Sequence, residues 1–569
     1  MRARLIKGLG PLLMLSLVAA ACGSDGDTTS ESVAPSATAA ATTAASATTD
    51  AATTTDAEAA NTTDAEAADT TASGDPVADT GACTEDLAGG TLTYGSPSQP
   101  AGLDPVLVPS SEATGVTAIA QIYDTLIQLD PETGEYQPRV AESLEPDAEF
   151  VNWTLTLREG VEFGNGDPLT AEAVKASIER FNELSTGPFK GLTSKIAAME
   201  VEDELTLVFT LDEGWAGFPF TLAVQPGMIV NTAVVDAAGE AFAQDPTGAG
   251  VGAYEVDTFT AGEVTVVRAK ENYWDGPVCI EELRFVPLPA DQARLEAFEN
   301  DEFDVTYLRD PLVLEAASDI SGTGRYVNAS SVLLFNAGVG VASPANDVRI
   351  RQALAMAIDV DAVNERANEG RGDATGTVIG ENSRFELDVA ATEQNIEEAR
   401  ALIDAAKADG WDGTLRFICD AGREEVALAI AAQAEAVGVT MNLEVVPTFA
   451  PLTDAVIINK DFDTACWGLN ISDEAPWVAF NNSLSSGSPA NYGGASSPEA
   501  DAAIDELRVA ATDEEITSAL NKIQEQWNAI VPSIVLLSTE ERVINSDSVT
   551  GIDFSSNTMT FFDDASIES

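Results

Sequence analysis

Histidine is absent from the 569 residues. That removes Ser-His-Asp and Cys-His catalysis and the usual zinc sites, which depend on an imidazole. It also removes a favoured nickel ligand. The five cysteines, Cys22, Cys83, Cys279, Cys419 and Cys466, include no C-x-x-C pair, so no zinc or thiol-redox motif is encoded. Gly160, Gly164 and Gly166 punctuate a loop, but it lacks the Gly-Lys-Ser/Thr ending of a phosphate cradle. Asp and Glu number 94 against 28 Lys and Arg, so close pairs of carboxylates discriminate nothing. With no nucleophile and base in view, the chain predicts no enzyme, no metal and no cofactor. The chemistry left to it is non-covalent recognition.

The formal net charge is -66. The first 22 residues carry +3 and residues 23–82 carry -11, so about -58 belongs to the remainder. Such a balance argues against nucleic acid, whose affinity rests on Lys and Arg contacts to phosphate. It predicts a solvated acidic surface suited to a salty medium. Arg2, Arg4 and Lys7 precede an apolar run from Leu9 to Ala21 and then Cys22. That is a secretory signal, too short to span a bilayer. Ala19-Ala20-Ala21 suits an ordinary signal peptidase, while Ala20-Ala21-Cys22-Gly23 is similar to a lipoprotein box in which Cys22 takes the lipid. Residues 23–82 are almost wholly Ala, Thr, Ser, Asp, Glu and Gly, with TTDAEAA twice and no Lys or Arg. This composition buries no core. As a flexible coil it spans roughly 40–45 Å, which suits a tether and favours the lipidated reading.

The elements that must position any recognition groups begin near Cys83. Gly90–Tyr94 reads as a strand and Ala118–Leu129 as a helix, followed by a turn over Asp130–Gly134. In Val151–Phe181, Trp153, Leu155 and Leu157 alternate with Thr154 and Thr156, which predicts a half-buried strand. After the glycine loop and Pro168, Thr170 is placed to cap a helix whose buried face carries Val174, Ser177, Ile178 and Phe181. A hairpin turns at Glu202-Asp203-Glu204. Further on, helices at Ile396–Ala408 and Val426–Val437 alternate with strands at Leu415–Cys419 and Met441–Val446, which predicts an α/β lobe.

The run WTLTLREGVEFGNGDPLTAEAV, from Trp153 to Val174, closely resembles W-T-F-x-L-R-x-G-V-x-F-x-D-G-x-P-x-T-A-x-D-V. That is a signature of the peptide/nickel class (family 5) of extracytoplasmic solute-binding proteins of ABC importers, the oligopeptide- and dipeptide-binding lipoproteins. Other segments are similar to the same family: Leu103-Asp104-Pro105, PRVAESLE from Pro138, GAGVGAY from Gly248, ENYWDGP from Glu271, FENDEFDV from Phe298, DVRIRQALAMAID from Asp347 and WNAIVPSIVLL from Trp527. The resemblance implies a two-lobed α/β periplasmic-binding-protein fold of type II, with an extra inserted subdomain and a hinge between the lobes. Segment order then implies a signal at 1–21, the lipidated Cys22 and tether at 22–82, and a first lobe in two parts, 83–129 and 247–330. The inserted subdomain is 130–246, the second lobe 331–528 and a closing segment 529–569.

The implied function is capture, as a monomer, of a small organic solute, with peptides first. The solute is delivered to an ABC permease in the cytoplasmic membrane, to whose outer face the lipid holds the protein. Oligosaccharides or other amphipathic solutes, or an exported hydrolase, are the alternatives. The resemblance also implies a site. In peptide-binding members a G-W-x-x-D-x-x-[DE]-P stretch supplies an Asp that holds the ligand ammonium. Here Trp467 is followed by Asn470, with Asp473 and Glu474 beyond it and Pro476 about two residues late. Trp467 is then a cleft wall or, alternatively, a packed core aromatic. Asn470 offers only neutral hydrogen bonds, roughly half as strong as charge-assisted ones. Ser96 and Pro97 after the first strand, and Phe335 and Asn336 on the strand leading to the hinge, are candidates for the opposite wall. Four cysteines allow three pairings, or free buried thiols. Membership of the same lobe favours Cys83–Cys279 with Cys419–Cys466.

Overall fold

The computed structural model describes residues 83, 89–108, 115–131, 133–185, 187 and 189–568. The expected signal, Cys22 and the tether lie outside them. Strand β1 (Thr91–Ser96) turns Leu92 and Tyr94 into the core. The helix expected over Ala118–Leu129 is shorter, Val116–Tyr123, and it stops at Asp124, whose φ is 60°. The reason is tertiary. The buried Asp124 carboxylate accepts the Thr125 amide at 2.7 Å and binds the Arg139 guanidinium, and this fixes a bend that apolar periodicity does not report. Residues beyond it form β2 (Ile127–Leu129), a hairpin with β3 (Tyr136–Pro138), and the Asp130–Gly134 turn is its loop.

Four antiparallel strands follow: β4 (Ala141–Pro146), β5 (Asn152–Leu157), β6 (Ile196–Val201) and β7 (Thr206–Leu211), in the order β4-β5-β7-β6. Trp153, Leu155 and Leu157 of β5 and Leu207, Phe209 and Leu211 of β7 are buried, as period-2 alternation requires. Gly160 and Gly166 take positive φ angles of 80° and 85° in the loop, where Gly carries no Cβ penalty. The helix Ala171–Leu184 packs Val174, Ser177, Ile178 and Phe181 inward. Thr170 Oγ1 accepts the Ala173 amide at 3.2 Å. Thr170→Ala should therefore cost about 1 kcal/mol of stability, and Thr170→Ser should restore most of it. Urea denaturation of the three proteins checks this.

The main sheet is assembled from both ends of the described chain. Its remaining strands are β8 (Tyr254–Thr260), β9 (Val264–Ala269), β10 (Glu282–Pro287), β11 (Val305–Leu308), β12 (Gly322–Phe335), β13 (Thr414–Asp420), β14 (Thr440–Val446), β15 (Thr464–Trp467), β16 (Ile471–Ser472) and β17 (Ser533–Asn545). The order is β14-β13-β15-β12-β17-β11-β1-β10-β9-β8, with β16 on the side of β12. β1 runs parallel to β10 and β11, and β13 parallel to β14 and β15. Two long antiparallel strands, β12 and β17, join these halves. Their ladder shifts register between Val327 and Val332, where Ala329 sits at φ 49°. The two halves of the sheet meet along these two strands. The sequence expected the strand at Leu333–Asn336 to lead to the hinge; β12 instead begins at Gly322, and Leu333–Phe335 lies beyond the break.

Helices Val348–Ala357, Ile396–Ala408 and Glu424–Ala436 cover the second half of the sheet with Ile350, Leu354, Ile403 and Ile430. Disulfides join Cys83 to Cys279 and Cys419 to Cys466, the pairing that shared lobes favoured. Among the described residues no helix is long and apolar enough to cross a membrane.

Candidate ligand-binding cleft

The break between β12 and β17 floors a cleft. On one side, Pro289–Gln292 follows β10 and Arg309-Asp310 follows β11; on the other, Ala421–Val426 follows β13. Both walls thus come from the carboxyl ends of parallel strands, where ligands bind in open α/β sheets. The cleft has a volume of about 840 Å³, within the range of small-molecule sites. An inner chamber of about 310 Å³ adjoins it. Arg309, Val327, Asn470 and Glu541 line both, so the two share a wall.

The chamber is apolar on one side. Phe189 and Phe220, from the segment between β5 and β8, meet edge to face at 5.7 Å, and Val478 and Ala479 of the helix Pro476–Ser483 face the same space. Its polar side is an ordered network. Arg325 donates to Glu541 Oε2 through Nε and Nη2 at 3.1 and 2.9 Å, and to Asn557 Oδ1 through Nη1 at 3.0 Å. Nη1 also reaches Glu474 at 3.3 Å. Burial pushes the Glu474 carboxyl above its ordinary value, and Arg325 pulls it back. A cation enclosed by two carboxylates is largely spent within the protein.

The structure separates the residues expected from sequence. Asn470 is exposed, holds φ 52° and lines both cleft and chamber. Trp467 is 8% exposed and lies under Phe449, stacked at 5.3 Å, with Tyr492 against its edge at 6.1 Å. Its packing is that of a covered aromatic. Asp473 accepts from Asn328 Nδ2 at 2.7 Å, Ser383 Oγ at 2.8 Å and the Arg384 amide at 3.0 Å. It therefore ties the break in β12 to a second-lobe loop. With Glu474 it borders a separate cavity of about 310 Å³. Ser96 is buried at the end of β1, its Oγ donating to the Ser98 carbonyl, and Pro97 follows it. Phe335 and Asn336 are fully buried in the second lobe; Asn336 Oδ1 accepts the Gly338 and Val339 amides, and its Nδ2 donates to the Phe462 carbonyl. The structure brings neither pair to the cleft.

Sequence reasoning missed Arg309, Arg325, Phe189, Phe220 and Asn557. One signal was available for Arg309. It directly follows an apolar strand and precedes Asp310-Pro311, a capped helix start, and so stands at a strand's carboxyl end.

A model of bacterial extracellular solute-binding proteins, family 5 (middle part), matches residues 135–491. The probable D,D-dipeptide-binding periplasmic protein DdpA of Escherichia coli is 24% identical over 412 residues, covering 68% of this chain and 76% of that protein. The periplasmic oligopeptide-binding protein OppA of Salmonella typhimurium is 26% identical over 322 residues, covering 52% of this chain and 58% of that protein, less than two thirds of its length. Among solved structures, the periplasmic binding protein DppA of Helicobacter pylori in complex with the peptide STSA superposes with a TM-score of 0.69 at 19% identity, covering 85% of this chain and 99% of that one.

Proposed function

The chain belongs to the family 5 bacterial extracellular solute-binding proteins, non-enzymatic components of ABC transport, and from that premise we propose that it captures a short peptide between its lobes and hands it to an ABC importer. The observation that carries this reading is the cleft at the β12–β17 break and the chamber that shares its wall, where an apolar side lies beside amide and guanidinium groups. A peptide presents that same mixture of apolar side chains and regularly spaced polar groups. Closure of the lobes about the break is the hinge motion that would enclose it. Cys22 anchors the protein by lipid to the outer face of the membrane, where it acts as a monomer.

Native mass spectrometry of the protein purified from its producing cells tests the ligand class. Short peptides released from it, with Trp fluorescence quenched on rebinding and no product formed, are the expected result. A saccharide or another non-peptide solute would overturn the peptide reading, and turnover would overturn capture. Asn470 supplies a neutral hydrogen bond at the shared wall. Asn470→Ala should weaken binding of the recovered solute by about 1 kcal/mol, roughly fivefold, in a calorimetric titration; unchanged affinity removes Asn470 from the site.

A further inference from the structure

We propose that a clasp set apart from the solute holds the chamber shut: Trp215 and Arg508 join the sheet β4-β5-β7-β6 to the helices Pro476–Ser483 and Pro498–Val509, and parting of this join opens the chamber. The proposal deepens the capture reading and rests on it. The chamber needs such a device because its apolar sides come from different parts of the chain. Phe189 and Phe220 belong to the segments around the four-stranded sheet, while Val478 and Ala479 belong to the helix Pro476–Ser483. The space is enclosed only while the two are held together. Trp215, Trp477 and Arg508 line neither the cleft nor the chamber, so they are positioning residues.

The join is made by the turn that follows β7. Trp215 in that turn is 3% exposed and meets Trp477, 5% exposed, with ring centres 4.9 Å apart. The Trp215 amide donates to the Phe150 carbonyl at 3.0 Å, which fixes the turn to the loop between β4 and β5. The Ala216 amide donates to the Arg508 carbonyl at 3.0 Å, and Arg508 Nη1 donates back to the Gly214 carbonyl. Lys195, just before β6, sets its ammonium 5.8 Å from the Trp477 ring centre. Trp477 directly precedes Val478, so one short helix carries both the clasp and a wall of the chamber.

A second, independent feature shows that the join is poised to open. No strand or helix of the four-stranded unit packs broadly against the two helices. Trp477 Nε1 and Arg508 Nε are buried without a hydrogen-bond partner; Glu213 stands 3.7 Å from Arg508 Nε, an ion pair without a hydrogen bond. Buried donors left unsatisfied oppose the gain from the aromatic contact, and water reaches both donors once the join parts. The ties of the same unit towards β1 are complete. Arg180, on the helix Ala171–Leu184, donates to Asp104 at 3.0 Å, and the Val230 amide donates to Ser177 Oγ at 3.0 Å. When the clasp parts, the four-stranded unit therefore stays with β1 and leaves the two helices.

The test uses the full exported protein and hydroxyl-radical footprinting, in which mass spectrometry reads the oxidation of each tryptophan. Arg508→Ala should raise the oxidation rates of Trp215 and Trp477 together, at least threefold. Trp153 and Trp527, buried within the separate sides of the join, should not change. The radius of gyration from X-ray scattering should increase as well. Arg508→Lys should keep part of the protection, because an ammonium still reaches the Gly214 carbonyl. Trp215→Leu, which keeps an apolar side chain in the turn, should raise the oxidation of Trp477 in the same way. A rise confined to Trp215 in Arg508→Ala, or an unchanged radius, overturns the clasp. With Ala-Ala-Phe as probe, stopped-flow release from Arg508→Ala should be at least fivefold faster than from wild type; equal release overturns the gating role. If Ala-Ala-Phe does not bind wild type, the peptide reading fails by itself, and footprinting and scattering still decide the clasp.

Discussion

A chain ending at Val531 should fold neither half of the main sheet. β17 lies between β11 and β12 and pairs with both, so its removal strips one neighbour from each and separates the two halves of the sheet. The deleted residues also bury Ile534, Val535, Leu536, Leu537, Val543, Ile544, Val549, Met559, Phe561 and Phe562. At about 1.5–3 kcal/mol for each such side chain, the lost burial is roughly 15–30 kcal/mol. That exceeds the 5–15 kcal/mol net stability of an ordinary protein, even after allowance for a compact unfolded state. Polar ties go as well: Gln121 Nε2 donates to the Thr560 carbonyl at 2.7 Å, and Tyr254 Oη to the Phe562 carbonyl at 3.1 Å. Circular dichroism during urea denaturation should show no cooperative transition in the truncated chain. A transition at the wild-type midpoint would mean that the first lobe is complete without its closing segment.

The second large effect is expected from Arg139→Met. Arg139 is 7% exposed and joins three distant parts of the chain. Its Nε binds Asp124, its Nη2 reaches both Asp563 oxygens at 2.9 Å, and its guanidinium lies 3.8 Å from the Phe561 ring centre. Burial pushes the Asp124 carboxyl above its ordinary range, and Arg139 draws it back. Methionine fills a similar volume but leaves two buried carboxylates uncompensated, which should cost about 3–5 kcal/mol. The sign of the pH dependence follows. Without the guanidinium, folded Asp124 takes up a proton at higher pH than the unfolded chain does. The deficit should be full near pH 7 and shrink as pH falls towards 4. In wild type the neighbouring Asp564 already behaves this way. Partial desolvation, then repulsion from Asp563, Asp553 and Asp275, raises its pKa to about 6, and because Asp564 is exposed its share of the pH dependence is small. Denaturation midpoints at pH 5 and pH 7 measure both effects. A loss under 1 kcal/mol, or one independent of pH, would show that solvent reaches the cluster.

What the sequence by itself determined was local in origin. The Trp153–Val174 signature folds as read because each of its instructions acts within a few residues: alternation of apolar side chains in β5, positive φ at Gly160 and Gly166, and the Thr170 cap. The same holds for the helix Ile396–Ala408 and for β13 and β14, whose periodicity is their own. Pairing of Cys83 with Cys279 was legible only through family segment order. The tertiary structure alone decided where neighbours distant in sequence compete for one group. Asp124 ends a helix because Arg139 and Tyr273 reach its carboxylate. Trp467 leaves the cleft surface because Phe449 covers it. The Asp473 carboxylate is engaged by Asn328, Ser383 and the Arg384 amide. The type of a side chain is written in the sequence, but whether its charge or hydrogen-bonding capacity is still unspent depends on every partner that folding brings within about 3 Å.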